Sequence, residues 1–312
     1  MYKKLFYYLL FICFTSLAQP NNYYESSFGL VGDELKQELH NIIKNHTVFS
    51  YTTTKSILRE SDEDPNNMEN IILTYSGNSI DKFDFASSFE PDFWNREHVW
   101  PKSHGEFSAG DPFEVPAYSD AHNLKPADHS MNTYRGEKDF DNGGSVVING
   151  DIETDCLGTT STFEPRDDVK GDIARIILYG DVRYEGGDGE PNLSIQDGLT
   201  TYPNPQIGVL STLLEWHEMD PPSPFEKRRN DVIFKWQGNR NPFIDYPEFV
   251  DYIFSENPQT NPIEITNVSL NPENIEGGQS ITIAGSVLTA IDCSLVSVIL
   301  NYGNNWGDIT NN

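Results

Sequence analysis

Cysteine is scarce in this chain of 312 residues: there are 3, and Cys13 lies in the leading apolar run. Cys156 and Cys293, far apart, are then the two left, which excludes a disulfide scaffold. Positive charge is scarce too. Lys and Arg number 21 against 48 Asp and Glu, a formal net charge of −27. Such a balance repels polyanions and counts against nucleic acid as a tight partner. From Pro258 to Asn312 there is no Lys or Arg at all. No apolar run is long enough to cross a bilayer comfortably. No His-x-x-x-His pair of the kind that holds zinc on a helix occurs. Internal repeats and low-complexity tracts are absent as well.

What is present starts with a leader. Lys3 and Lys4 precede the apolar stretch Leu5 to Cys13, and Ser16-Leu17-Ala18 supplies small residues for cleavage. Residues 1–18 are therefore expected to be a signal peptide. The mature protein is expected to be secreted or periplasmic, monomeric and without a membrane anchor. The length suggests about two domains. The composition changes near Asn257, so the expected division is 19–257 for the main domain and 258–312 for a second unit. That unit has short β-branched runs between Pro-Glu-Asn and Glu-Gly-Gly turns, and reads as the first strands of a β-sandwich.

Within the main domain the apolar spacing of Leu35, Leu39, Ile42 and Ile43 predicts a helix over Asp33–Lys44, capped by Asp33. A second helix is expected from Thr53 to Glu60, then an acidic, solvated turn at Asp62 to Asp64 and a strand over Ile71–Tyr75. Glu97 to Val99 should end a strand, because Pro101 stops regular pairing. An irregular loop from Pro101 to Asp120 follows. A short helix should start at Asp128 or Ser130 and end at Gly136, and Gly144–Gly150 should be a strand. Glu164-Pro165 opens a helix with Val169, Ile173, Ile176 and Ile177 as its buried stripe and Gly180 as its end. Further helices are expected over Gln206–Trp216, from the capping box at Ser223-Pro224-Phe225-Glu226, and over Tyr246–Phe254.

The segment Asn95 to Phe140 is too polar for a core. It holds four of the 7 histidines, each close to a carboxylate or carboxamide. A neutral imidazole is a good general base near pH 7. Glu97 and Asn132 offer a carboxylate and a carbonyl oxygen, hard ligands that suit magnesium or calcium. The residues alone therefore describe a metal-assisted hydrolase. Two other readings stay open: a zinc hydrolase using His98, His104, His122 or His129, and a non-catalytic exported binding protein.

Arg96-Glu97-His98-Val99-Trp100-Pro101, Asp120-x-His122-Asn123-Leu124-x-Pro126 and Asn132-x-x-Arg135-Gly136 resemble the endonuclease I family of secreted or periplasmic nucleases, in the ββα-metal (His-Me finger) group. Phe163-Glu164-Pro165, Gly171-Asp172-Ile173-Ala174-Arg175, Glu215-Trp216 and Gln237-Gly238-Asn239-Arg240-Asn241-Pro242 extend the likeness across most of residues 25 to 255. The resemblance implies an α+β fold, a mixed helical nuclease domain around a ββα-metal motif. It implies that His98 is the general base, and that Glu97 and Asn132 hold one divalent ion, usually Mg2+, with Mn2+ or Ca2+ as alternatives. It implies hydrolysis of DNA and RNA with little sequence preference, leaving 5′-phosphate and 3′-hydroxyl ends. In one respect the chain departs from the family. Glu97 to Tyr134 contains no Arg and no Cys, whereas several members carry there an Arg that touches the scissile phosphate. Lys102, Arg135 and Arg166 are the candidates for that substrate contact. Lys227 to Arg229 and Arg240 are candidates for a groove that offsets the overall acidity.

Overall fold

In a computed structural model, the described residues are 22–86, 90, 93–105, 107, 116–187, 190–255, 265–271 and 282–287. The expected leader and the expected boundary near Asn257 lie outside them.

Helix α1 (Gly32–Ile43) buries Leu35, Leu39 and Ile43, as their spacing predicts. Its N-cap is Val31, ahead of the expected Asp33. Asp33 sits instead in the first turn beside Glu34, where negative charge meets the positive end of the helix dipole. Helix α2 (Thr54–Ser61) buries Ile57 and Leu58. Strands β1 (Glu63–Asp64), β2 (Asn67–Ile72) and β3 (Ser79–Asp81) form a small antiparallel sheet. The strand expected at Ile71–Tyr75 is thus shifted toward the N-terminus, and Leu73 to Tyr75 leave it as a buried connection.

The acidic turn is not solvated throughout. Asp62 is fully buried because two cations converge on it: Lys125 Nζ at 2.8 Å and Arg229 Nε at 3.0 Å. Burial alone would raise the Asp62 pKa, but Arg229 and Lys125 outweigh it and hold the carboxyl below its usual range.

Strands β4 (Trp94–His98) and β5 (Leu124–Asp128) pair antiparallel, from Trp94 opposite Asp128 to His98 opposite Leu124. Helix α3 (His129–Arg135) follows β5 without a loop and ends at Gly136, whose φ of 57° suits glycine. These three elements make a strand–strand–helix unit. The long connection between the two strands holds 3-10 turns at Lys102–Gly105 and Pro116–Tyr118. Strands β6 (Asp139–Phe140), β7 (Ser145–Asn149), β8 (Ile152–Gly158) and β9 (Thr162–Glu164) then form a sheet of order β6-β9-β8-β7.

Helix α4 (Lys170–Arg183) is the axis of the molecule, buried along its whole length. Ile173 and Ile177 face one apolar cluster with Trp100 and Trp216. Leu178, Tyr179 and Val182 face another with Leu35, Leu39 and Phe249. The helix starts later than Pro165 and runs past Gly180. A Cβ at Gly180 would stand 3.0 Å from the Trp100 ring, so this glycine serves close packing and not termination.

Strands β10 (Ser194–Gln196) and β11 (Gln206–Gly208) pair in parallel, which delays the helix expected at Gln206 to α5 (Leu210–Met219). Helix α6 (Pro224–Gln237) begins at the expected cap: Ser223 Oγ accepts from the Glu226 N–H at 3.1 Å. The Glu226 carboxylate is drawn to Arg175 instead, at 2.7 and 2.6 Å. The last expected helix, Tyr246–Phe254, is α8 (Phe249–Phe254), and a short helix α7 (Pro242–Asp245) precedes it where no helix was expected. The described part of the expected C-terminal unit is one antiparallel pair, β12 (Ile265–Asn271) and β13 (Thr282–Val287). The fold class is α+β.

Candidate catalytic site on the strand–strand–helix unit

Alternation along β4 points Asn95 and Glu97 to one side and Trp94, Arg96 and His98 to the other. On the first side Glu97 is almost fully buried. Its Oε1 accepts from Tyr75 Oη at 2.7 Å and from Arg135 Nη1 at 3.2 Å. Burial raises its pKa to about 7 against the pull of Arg135 and Tyr75. Asn132, in the second turn of α3, donates through Nδ2 to Asn95 Oδ1 at 2.9 Å and to the Arg96 carbonyl at 3.2 Å. A backbone carbonyl only accepts, so the amide nitrogen must face it, and Oδ1 is turned away. Glu97 Oε2 has no hydrogen-bond partner among the described residues. One carboxylate oxygen and one carboxamide oxygen fit a hard divalent ion that keeps several waters.

On the second side His98 ends the strand. Its Nε2 lies 2.9 Å from the Tyr118 carbonyl, which accepts and so requires Nε2–H. Nδ1 is then the unprotonated nitrogen. The ring stacks on Tyr51 and Tyr118, with centroids 5.6 and 5.3 Å away. Burial, reinforced by the charges of Lys102, Arg96 and Arg135, pushes its pKa down to about 4 despite the Tyr118 hydrogen bond. At neutral pH the imidazole is therefore neutral, the form a general base needs.

The expected substrate cations separate. Lys102 is exposed on the 3-10 turn after β4 and its charge is felt at His98. Arg135 is not available to a substrate: it is fully buried, holding Glu97 Oε1 and the His98 carbonyl, the latter at 3.1 Å, with Phe140 beneath it. A carboxylate buried beside the base needs a buried counter-charge, and α3 supplies it. Arg166 donates to the Thr74 carbonyl at 3.0 Å and pairs with Asp168 at 2.9 Å, on the wall of an open groove near Asp155 and Asp167. It shares no contact with His98, Glu97 or Asn132 among the described residues. The expected basic groove fares similarly. Arg229 and Arg240 are buried in ion pairs with Asp62 and Asp245, Arg228 lies 3.4 Å from Glu63, and Lys227 alone is exposed without a pair among the described residues.

Several residues that shape the site carry no strong signal in the sequence. Tyr75, Asn95 and Tyr118 belong to separate segments and act by what they touch. Asn95 had one detectable cue, its two-residue spacing from Glu97 on a strand. Asn123 grips Trp100 through both backbone groups, accepting from its N–H at 2.7 Å and donating to its carbonyl at 3.1 Å, and so fixes the chain just beyond His98.

Other motif residues turn out to be scaffold. Asp120 is buried and accepts from Tyr179 and Tyr184 at 2.8 Å each, from Gln237 at 2.9 Å and from the His122 N–H at 2.9 Å. His122 lies 3.2 Å from the Asn239 carbonyl, and His104 lies 2.7 Å from the Gln206 carbonyl. Among the described residues no three of His, Cys, Asp and Glu gather as metal ligands, so the zinc reading has no ligand set there.

A family model described as Endonuclease I matches residues 31–248 of the chain. A protein named Extracellular ribonuclease from Bacillus subtilis (strain 168) is 44% identical over 238 residues, covering 76% of this chain and 80% of that protein. Another of the same name, from Bacillus amyloliquefaciens, is 45% identical over 248 residues, covering 77% of this chain and 80% of its own length.

Proposed function

The chain belongs to the endonuclease I family, and from that premise we propose an exported, divalent-metal-dependent endonuclease that hydrolyses RNA and DNA with little sequence preference. The observation that carries the reading is His98. Its Nε2–H is spent on the Tyr118 carbonyl, its pKa is depressed to about 4, and Nδ1 is left to take a proton from water. Glu97 and Asn132 sit on the other side of the same strand end with one oxygen each uncommitted.

In this reading, His98 removes a proton from the water that attacks phosphorus. Tyr118 holds the tautomer and the ring angle while this happens. Glu97 and Asn132 are the protein ligands of the ion, Mg2+ before Mn2+ or Ca2+. When bound, such an ion supplies electrostatic stabilisation of the charge developing on the phosphate and the leaving 3′ oxygen. Arg135 aims the Glu97 carboxylate and opposes the rise in pKa that burial causes. Lys102 is the cation best placed for the scissile phosphate. The products carry 5′-phosphate and 3′-hydroxyl ends.

Substrate breadth follows from the same site. No element here presents side chains to base edges in a groove, so direct base readout has no structural basis among the described residues. The two relatives are named for ribonuclease activity, which supports RNA as a substrate. Plasmid DNA and a long RNA, each incubated with Mg2+ and with or without EDTA, test the reading together. Cleavage of both that stops with EDTA is expected. Intact DNA and RNA in the presence of Mg2+, or undiminished cleavage with EDTA, would refute it.

A further inference from the structure

A polyanion must find purchase on a protein whose net charge is −27, so the cations that no carboxylate neutralises carry the most weight. Arg59 and Arg96 have no carboxylate partner among the described residues, whereas every other arginine has a carboxylate oxygen within 3.4 Å. The two stand over rings that touch each other, Arg96 over Phe85 and Arg59 over Trp94. Arg96 Cζ sits 3.4 Å from the Tyr51 ring centroid and 5.3 Å from that of Phe85. Lys55 Nζ, also without a carboxylate partner there, lies 4.6 Å from the same Phe85 ring. Arg59 Cζ is 4.7 Å from the Phe83 ring and 6.0 Å from that of Trp94, which Phe85 meets edge-on at 4.9 Å. Lys55 and Arg59 are four apart on α2 and so share a face.

The patch is continuous with the catalytic face. Tyr51, under Arg96, is the ring that stacks on His98. Arg96 is also bonded to the Tyr51 carbonyl and reaches Thr54 Oγ1 at 3.4 Å, but its Nε is buried without a partner among the described residues. Phe83 is 62% exposed. Asp81, its acidic neighbour, accepts a hydrogen bond from the Phe83 N–H at 2.8 Å.

We propose that Lys55, Arg59 and Arg96, with Phe83 and Phe85, form a binding surface for single-stranded nucleic acid that leads the strand to His98. The inference rests on the nuclease reading and deepens it. Unpaired cations neutralise backbone phosphates, and an exposed aromatic ring offers a stacking platform that only an unpaired base can use. A cation already paired with Asp or Glu is largely neutralised, so these three, being unpaired among the described residues, can each neutralise a phosphate and free a counterion from the strand.

The test is cleavage of a single-stranded RNA by the full chain between about 50 and 200 mM salt, reading log(kcat/KM) against log salt. Every backbone phosphate that a variant leaves unneutralised should make the slope shallower by about 0.7. Lys55→Gln is expected to do so by about 0.7 and Lys55→Gln with Arg59→Gln by about 1.4, mainly through KM. Lys55→Glu should raise KM beyond Lys55→Gln. The Lys55 side chain makes no hydrogen bond among the described residues, so its variants should keep the wild-type melting temperature, which is measured alongside. Wild-type slopes and KM in folded variants would overturn the binding surface. A wild-type chain that cuts no nucleic acid under any of these salts would instead overturn the nuclease reading beneath it.

Discussion

Asn95→Ala should weaken divalent-metal binding without removing either ligand. The carboxamide of Asn132 is oriented by two acceptors, Asn95 Oδ1 at 2.9 Å and the Arg96 carbonyl at 3.2 Å. The substitution removes the shorter hydrogen bond and leaves the longer one to hold the amide alone. A net hydrogen bond contributes about 1 kcal/mol, which is about fivefold in an equilibrium constant. Partners that orient metal ligands commonly cost about 10- to 100-fold in affinity when removed. With one of two acceptors retained, the expected loss lies at the low end, about five- to tenfold in Mn2+ affinity. Stability should fall by about 1 kcal/mol, or about 2–4 °C in melting temperature. Calorimetric titration of the purified protein with Mn2+ reads the first quantity and a thermal melt the second. Asn95→Asp keeps an acceptor and adds negative charge, so it should bind Mn2+ at least as well as wild type. Asn132→Ala sets the scale for loss of a ligand. If Asn95→Ala binds Mn2+ like wild type while Asn132→Ala does not, the orienting role of Asn95 is wrong.

Three further outcomes are expected. His98→Ala should lower the rate of phosphodiester cleavage by about a hundred- to ten-thousand-fold while the chain still folds, since a general base is worth about that much; near-normal turnover by the folded variant would remove His98 from the reaction. Asp62→Ala should cost about 3–5 kcal/mol, because it strands Lys125 and Arg229 in the interior. Asp62 is also held below its usual pKa, so its contribution is present above the unfolded carboxyl value of about 3.9 and is lost as pH falls through the lower folded value. Melting curves of wild type and Asp62→Asn should thus converge below about pH 4, and an equal gap at every pH would refute that link. Finally, a chain ending at Pro258 should cut nucleic acid at a comparable rate, since the family match stops at residue 248; a soluble, folded but inactive truncation would show that the C-terminal unit takes part.

The parts that the sequence determined by itself are those written in local order. Apolar spacing set α1, the Ser223 cap set the start of α6, and Gly136 set the end of α3, because each depends on residues within a turn or two of one another. The same holds for Glu97 and His98 at a strand end stopped by Pro101, and for the family to which the motifs belong. Charge partnership could not be read this way. Arg135 and Arg96 look alike as lone cations near the motif, yet one is buried 3.2 Å from Glu97 and the other stands on Tyr51 with no carboxylate partner among the described residues. Asp62 looked like a solvated turn until Lys125 and Arg229, from β5 and α6, met it in the core. Gly180 read as a helix end and is instead the place where α4 passes the Trp100 ring. In each case the deciding partner comes from a distant segment. The cost of burying a charge, or of packing a ring, falls on whichever groups the fold brings together, so only the tertiary structure separates the cations that hold the scaffold from those left free to meet phosphate.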